Sequence, residues 1–216
     1  WSRGLGDVYK RQPLGVVVGQ DFDPSGLDPS TWVAVERGRQ SALNSIDNAV
    51  VSARIGSTGG WVISYLLGSY GSRYLERAVA ARMGLGASVA ADTFYPYTEL
   101  DSMGQILNGN RAYVLHFSPG QTPPVHAFWS VTLYDNRHFF VPNRLGRFAL
   151  GGRDSLTYNP DGSLDIYLST EVLPGTPESN WLPAPKADFN LILRAYWPEP
   201  AVLEGRWLPP PVRPLP

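Results

Sequence analysis

Two rhythms of apolar residues divide this chain. From Asp28 to Ile55, Trp32, Val35, Leu43, Ile46 and Val50 recur at three- to four-residue steps with a gap at Arg39, which is the spacing of one helix face. Glu36, Arg37 and Asp47 fall on the polar back. Asp28 stands where an N-cap belongs, and Pro29 takes the first helical position, where its fixed φ and missing N–H do no harm. A glycine-punctuated apolar connection follows, GSTGGWVISYLLGSYGS, and then SRYLERAVAARMGLG predicts a second, shorter helix. Gly84 or Gly86, in the left-handed conformation that glycine adopts cheaply, is expected to stop it.

From residue 93 the period is two. In RAYVLHF, Tyr113, Leu115 and Phe117 share one face, while Ala112, Val114 and His116 share the other, as in a strand buried on one side. AFWSVTLYD separates Trp129, Val131 and Leu133 from Phe128, Ser130, Thr132 and Tyr134 in the same way, and FNLILRAYWP separates Phe189, Leu191, Leu193, Ala195 and Trp197 from Asn190, Ile192, Arg194 and Tyr196. LTYNPDGSLDIYLST reads as two strands joined by an Asn-Pro-Asp-Gly turn, with Pro160 preset for the second turn position and Gly162 free for positive φ. The tail PEPAVLEGRWLPPPVRPLP is a proline-rich strap, expected over the surface or along a sheet edge because proline cannot donate to a central ladder. Short strands separated by turns, without helices between them, predict a mainly β fold, an antiparallel β-sandwich of the jelly-roll kind behind an N-terminal pair of α-helices.

Length and charge narrow the partners. A chain of 216 residues can bury a core without staples. Eighteen Lys and Arg against 19 Asp and Glu leave a net charge of −1, which gives no field to gather nucleic acid. There is no Cys, hence no disulfide or thiolate-bound metal, and either cytoplasm or periplasm is compatible. No apolar run reaches membrane-spanning length.

The segments FWSVTLYD, NRLGRFALGGRDSLTYNPDGSLDIYLS, SNWLPAP and FNLILRAYWP, in that order, resemble the bacterial family of domain of unknown function 1214, the usual C-terminal partner of domain of unknown function 1254. The resemblance runs from about Tyr70 to the C-terminus. It implies a jelly-roll-like sandwich preceded by helices and attached to a second, N-terminal β domain, here the expected missing partner; it brings no reaction. The opening WSRGLGDVYKRQ looks like a translated sequencing-adapter junction at the end of a metagenomic assembly, and the first Met is Met83. Residues 1–12 are therefore set aside from fold reasoning, residues 13–90 read as a helical lead-in, and residues 91–216 as the β-sandwich with its strap. Without the partner domain, Trp32, Trp61 and WVISYLL are expected to form an exposed apolar patch.

Candidate chemistry is sparse. His116, His126 and His138 lack the His-x-His or helical spacing that converges on a metal, and no metal or cofactor is expected. There is no Gly-x-Ser-x-Gly elbow to expose a nucleophilic serine. GLGASVA ends a helix, whereas a dinucleotide loop must open one. Asp161 and Asp165 belong to the turn and the strand beside it, and their separation is not fixed by sequence. The stretch from Tyr134 to Asp154 carries Arg137, Arg144, Arg147 and Arg153 against Asp135 and Asp154 only. Guanidinium forks hold carboxylate or phosphate in paired hydrogen bonds, so Tyr134, Arg137, Asn143, Arg144 and Arg147 are candidate contacts for an anionic small molecule; local pairing with Asp135 or Asp154 is the structural alternative. Asn180 and Trp181 in SNWLPAP combine an amide with an indole, as a carbohydrate contact does, or else they plug the end of the sandwich. Two function classes remain: a binding or interaction module for an anionic small molecule, a sugar or the partner domain, and a hydrolase-like enzyme with its pocket between the two β domains.

Overall fold

A computed structural model describes residues 14–17, 19–55, 58–84 and 86–216; the junction-like opening lies outside the described residues. Two compact units divide the chain, Trp1–Asn48 and Ala49–Pro216. The first holds a 3-10 turn, Pro24–Gly26, and most of helix α1 (Pro29–Ile55), whose last residues belong to the second. Asp28 caps that helix as expected: its Oδ1 accepts the backbone N–H groups of Ser30 and Thr31, each at 3.0 Å, which satisfies two of the orphan donors of a helix start. The Ser30 and Thr31 hydroxyls donate to the same carboxylate and hold it far below the usual carboxylate range. The apolar stripe is left mostly open, with Trp32 and Leu43 exposed and Val35, Ile46 and Val50 half-buried.

Among its described residues the second unit carries helix α2 (Tyr74–Met83), nine strands and a one-turn helix α3 (Pro200–Leu203). Helix α2 ends before Gly84, which is extended at φ 177°; the left-handed glycine is Gly86, at φ 83°. Trp61 corrects an expectation, for it is completely buried and its indole N–H donates to the Pro210 carbonyl at 2.8 Å. The proline-rich tail covers it, while Tyr65 and Leu66 stay exposed.

Strands β1 (Thr93–Phe94), β2 (Tyr97–Thr98), β4 (Val125–Asp135), β5 (Ala149–Gly151) and β8 (Phe189–Pro198) make one antiparallel sheet, ordered β1-β8-β4-β5 with β2 also on β8. Strands β3 (Tyr113–Phe117), β6 (Leu164–Ser169), β7 (Trp181–Pro183) and β9 (Val212–Pro214) make the other, ordered β7-β6-β3-β9. The fold is mainly β, as the alternation predicts. It is not wholly antiparallel: β6 and β7 run parallel, because residues 170–180 carry the chain back before β7 begins. The hairpin reading is corrected too. Its turn forms, with the Gly162 N–H donating to Asn159 O at 2.9 Å and Gly162 at φ 83°, but residues 155–158 make no strand. Both sides of β6 are already taken, by β3 and β7.

The alternating apolar faces meet in one buried cluster drawn from both sheets. Phe117 of β3 tilts against Trp129 of β4 at 5.3 Å, and Tyr113 meets Phe189 edge-on at 5.9 Å, a preferred aromatic geometry. The strap does more than lie over an edge: β9 pairs with β3, and Val202, Trp207 and Val212 are core residues.

Candidate functional site

Two side chains shape the loop between β4 and β5. Asp135 accepts the backbone N–H groups of Arg137 and Phe139, each at 2.9 Å, and the Arg137 guanidinium at 3.3 Å. The hydrogen bond from Phe139, with those from Arg137, outweighs desolvation and holds the Asp135 carboxyl below its ordinary value. Asn143 works as a staple: Oδ1 accepts from Leu145 and Arg147 N–H at 3.1 Å, and Nδ2 donates to the carbonyls of Val141 and Arg147.

This loop meets the entry to β7. Arg147 donates to the carbonyls of Glu178 and Trp181, the latter at 2.8 Å, so its fork binds main chain. Arg144 ion-pairs with Glu178, and its guanidinium lies over the Trp181 ring at 5.3 Å. Beside them opens a cleft of about 270 Å³, lined by Val141, Asn143, Arg144, Thr170, Glu171 and Trp181 among others.

The sequence-predicted residues are thus distributed unevenly. Asn143, Arg144 and Trp181 line the cleft and Arg147 braces it. Asn180 lies beneath, buried: its Oδ1 accepts the Thr157 N–H at 2.8 Å, and its Nδ2 donates to Thr157 O and Asp165 O. Trp181 is buried as well, its indole N–H given to Ser169 O at 2.9 Å. Arg137 stays with Asp135. Tyr134 faces outward from the five-stranded sheet, where it stacks on Phe140 and accepts a hydrogen bond from Arg194 at 3.0 Å.

Two groupings escaped the sequence. Arg194 stood out only as an outward position in an alternating strand, and what it meets depends on which strands flank β8. His116 and Asp165, 49 residues apart, face each other across β3 and β6 with Nδ1 2.6 Å from Oδ1; Asn159 Nδ2 donates to the second carboxylate oxygen at 2.8 Å. Such an oriented imidazole is the hardware of proton transfer. The other histidines lie elsewhere, His126 against Trp197 and His138 against Tyr97. Among the described residues no three His, Asp or Glu side chains gather as a metal site would require, and no helix is long and apolar enough to cross a membrane.

The family model described as protein of unknown function (DUF1214) matches residues 92–200, which takes in β1 to β8 and both loops of the cleft. The chain belongs to the DUF1214 family. No curated protein matches it. The crystal structure of the VPA0106 protein from Vibrio parahaemolyticus superposes with a TM-score of 0.69 at 23% identity, over 100% of this chain and 52% of that one. An uncharacterised Burkholderia cenocepacia protein gives a TM-score of 0.43 at 16% identity, over 98% of this chain and 49% of that one. The first likeness shows a shared fold. This DUF1214 chain spans about half the length of these solved relatives.

Proposed function

We propose that this DUF1214 chain is a ligand-binding module, a jelly-roll-like sandwich from a longer two-domain protein, that takes a small anionic molecule in the cleft beside Arg144. The carrying observation is the state of Arg144. Its one carboxylate partner among the described residues is Glu178, and both side chains are at least half exposed. A pair so exposed contributes about 1 kcal/mol or less, so an incoming carboxylate can replace Glu178 on the guanidinium fork with little loss. Arg147 and Asn143, bonded to main chain, keep the wall rigid while that exchange happens. Thr170 and Glu171 also line the cleft, and their hydroxyl and carboxylate favour a hydroxylated ligand, such as a sugar acid. Half of the Vibrio protein's length lies outside its match to this chain, which supports the second domain.

Thermal unfolding with D-glucuronate as the probe tests this. A ligand at about 100 times its dissociation constant stabilises by roughly 2.7 kcal/mol, and Arg144→Ala is expected to remove that shift. An undiminished shift in the variant would sink the cleft reading.

A further inference from the structure

We propose that the outward face of the five-stranded sheet is a second binding site, for a small carboxylic acid with a flat apolar body, anchored by Arg194. Strand register assembles it. Ser130 pairs with Arg194 on one side and with Gly151 on the other. Tyr95 lies midway between the pairs Phe94–Ala195 and Tyr97–Ile192, and so falls opposite Arg194 from the far side of β8. One row across the sheet therefore reads Gly151, Ser130, Arg194, Tyr95, all on the face turned away from the core. Two of the four are small, and Gly151 has to be, because a Cβ there would sit 2.0 Å from the Trp129 carbonyl oxygen.

Aromatic rings border this row. Phe128 and Tyr196 stack at 4.2 Å towards one end of the strands, and Tyr134, Phe140 and Phe148 form a continuous stack at 5.2 and 4.7 Å towards the other. Arg153 rides over Phe128 at 3.7 Å and adds a second guanidinium at the rim.

Arg194 itself is half-buried and donates Nη1 to Thr132 Oγ1 at 2.9 Å and Nη2 to Tyr134 Oη at 3.0 Å. Both acceptors are neutral, and among the described residues no carboxylate lies within ion-pair distance of it. A partly desolvated cation normally recruits an anion; here two hydroxyls aim the fork and leave its charge uncompensated. The field reaches Tyr95, where burial alone would raise the phenol pKa, but hydrogen bonds with Ser88 and Thr93 and the charge of Arg194 bring it below its ordinary value. A carboxylate fits the remaining N–H groups in two parallel bonds, and a flat body lies between ring stacks as aromatic partners do.

Calorimetric and thermal-shift titrations of the 216-residue chain with benzoate test the site, with benzyl alcohol as the uncharged ring. Saturable binding of benzoate and none of benzyl alcohol are expected. Arg194→Lys, which keeps the charge and loses the fork, is expected to weaken benzoate about tenfold, equivalent to about 1.4 kcal/mol. Ser130→Asp supplies an internal carboxylate opposite Arg194 and is expected to abolish benzoate binding while the unfolding transition persists. Arg144→Ala is expected to leave benzoate untouched, which separates this face from the cleft. Absence of benzoate binding, binding retained in both Arg194→Lys and Ser130→Asp, or binding lost in Arg144→Ala would each overturn the proposal. So would N-acetylglutamate amide binding as tightly as benzoate, since the site would then fit a protein carboxylate rather than a flat acid.

Discussion

Asn180 illustrates how a residue chosen for its chemistry is claimed by the fold. A buried amide can satisfy its hydrogen-bonding groups only if the surrounding backbone supplies them, and Asn180 does so by joining Thr157 to Asp165. Asn180→Ala removes the partners of one N–H and two carbonyls beside a buried side chain, and is expected to destabilise by about 2 kcal/mol, read from the denaturant midpoint at constant m-value. A change under 1 kcal/mol would mean that water replaces the amide. Sequence left Asn180 and Trp181 as either a carbohydrate contact or a plug at the sandwich end, because an Asn-Trp pair looks the same whether its groups face a ligand or a carbonyl. Arg194 is the converse case. It reads as an ordinary outward residue of FNLILRAYWP, and only the strand beside it shows that its guanidinium meets the neutral hydroxyls of Thr132 and Tyr134, with no carboxylate in reach among the described residues.

At the scale of elements, alternation made β3, β4 and β8 legible because each has one face in the core and one outside. Strand β7 was hidden: Trp181, Leu182 and Pro183 are all buried, so no period of two remains. The first arm of the presumed hairpin failed for a different reason, since a turn fixes local direction but not whether a strand has a free neighbour. The turn after β4 also carries a pH signature. The Asp135 carboxyl is depressed in the folded state by its hydrogen bonds to Phe139 and Arg137, so the unfolded chain binds that proton more readily. The stabilisation it gives is present above the ordinary value of 3.8 and is lost as pH falls through the lower, folded value. The denaturant midpoint is therefore expected to drop as pH falls below about 4, the ordinary carboxylate range, and Asp135→Asn to drop less. Equal slopes in the two proteins would show that Asp135 takes no part.

For the whole molecule, every residue of the buried cluster lies between Trp61 and Val212. A chain beginning at Thr58 is expected to melt at the same temperature as the full one, followed by circular dichroism; a drop of several degrees would show that α1 supports the core. Removal of residues 208–216 is expected to unfold the protein, because it deletes β9, exposes the open side of β3 and takes away the carbonyl that holds the Trp61 indole.

That dependence on the tail also bears on how the protein is made. Leu115 pairs with Val212, so β3 waits for a partner that is made much later. Until β9 emerges, β3 has β6 on one side and a bare edge on the other, and Trp61 has no lid. The four-stranded sheet therefore closes late, which makes folding slow in the manner of long-range β pairing and leaves an unpaired edge open to aggregation in the meantime.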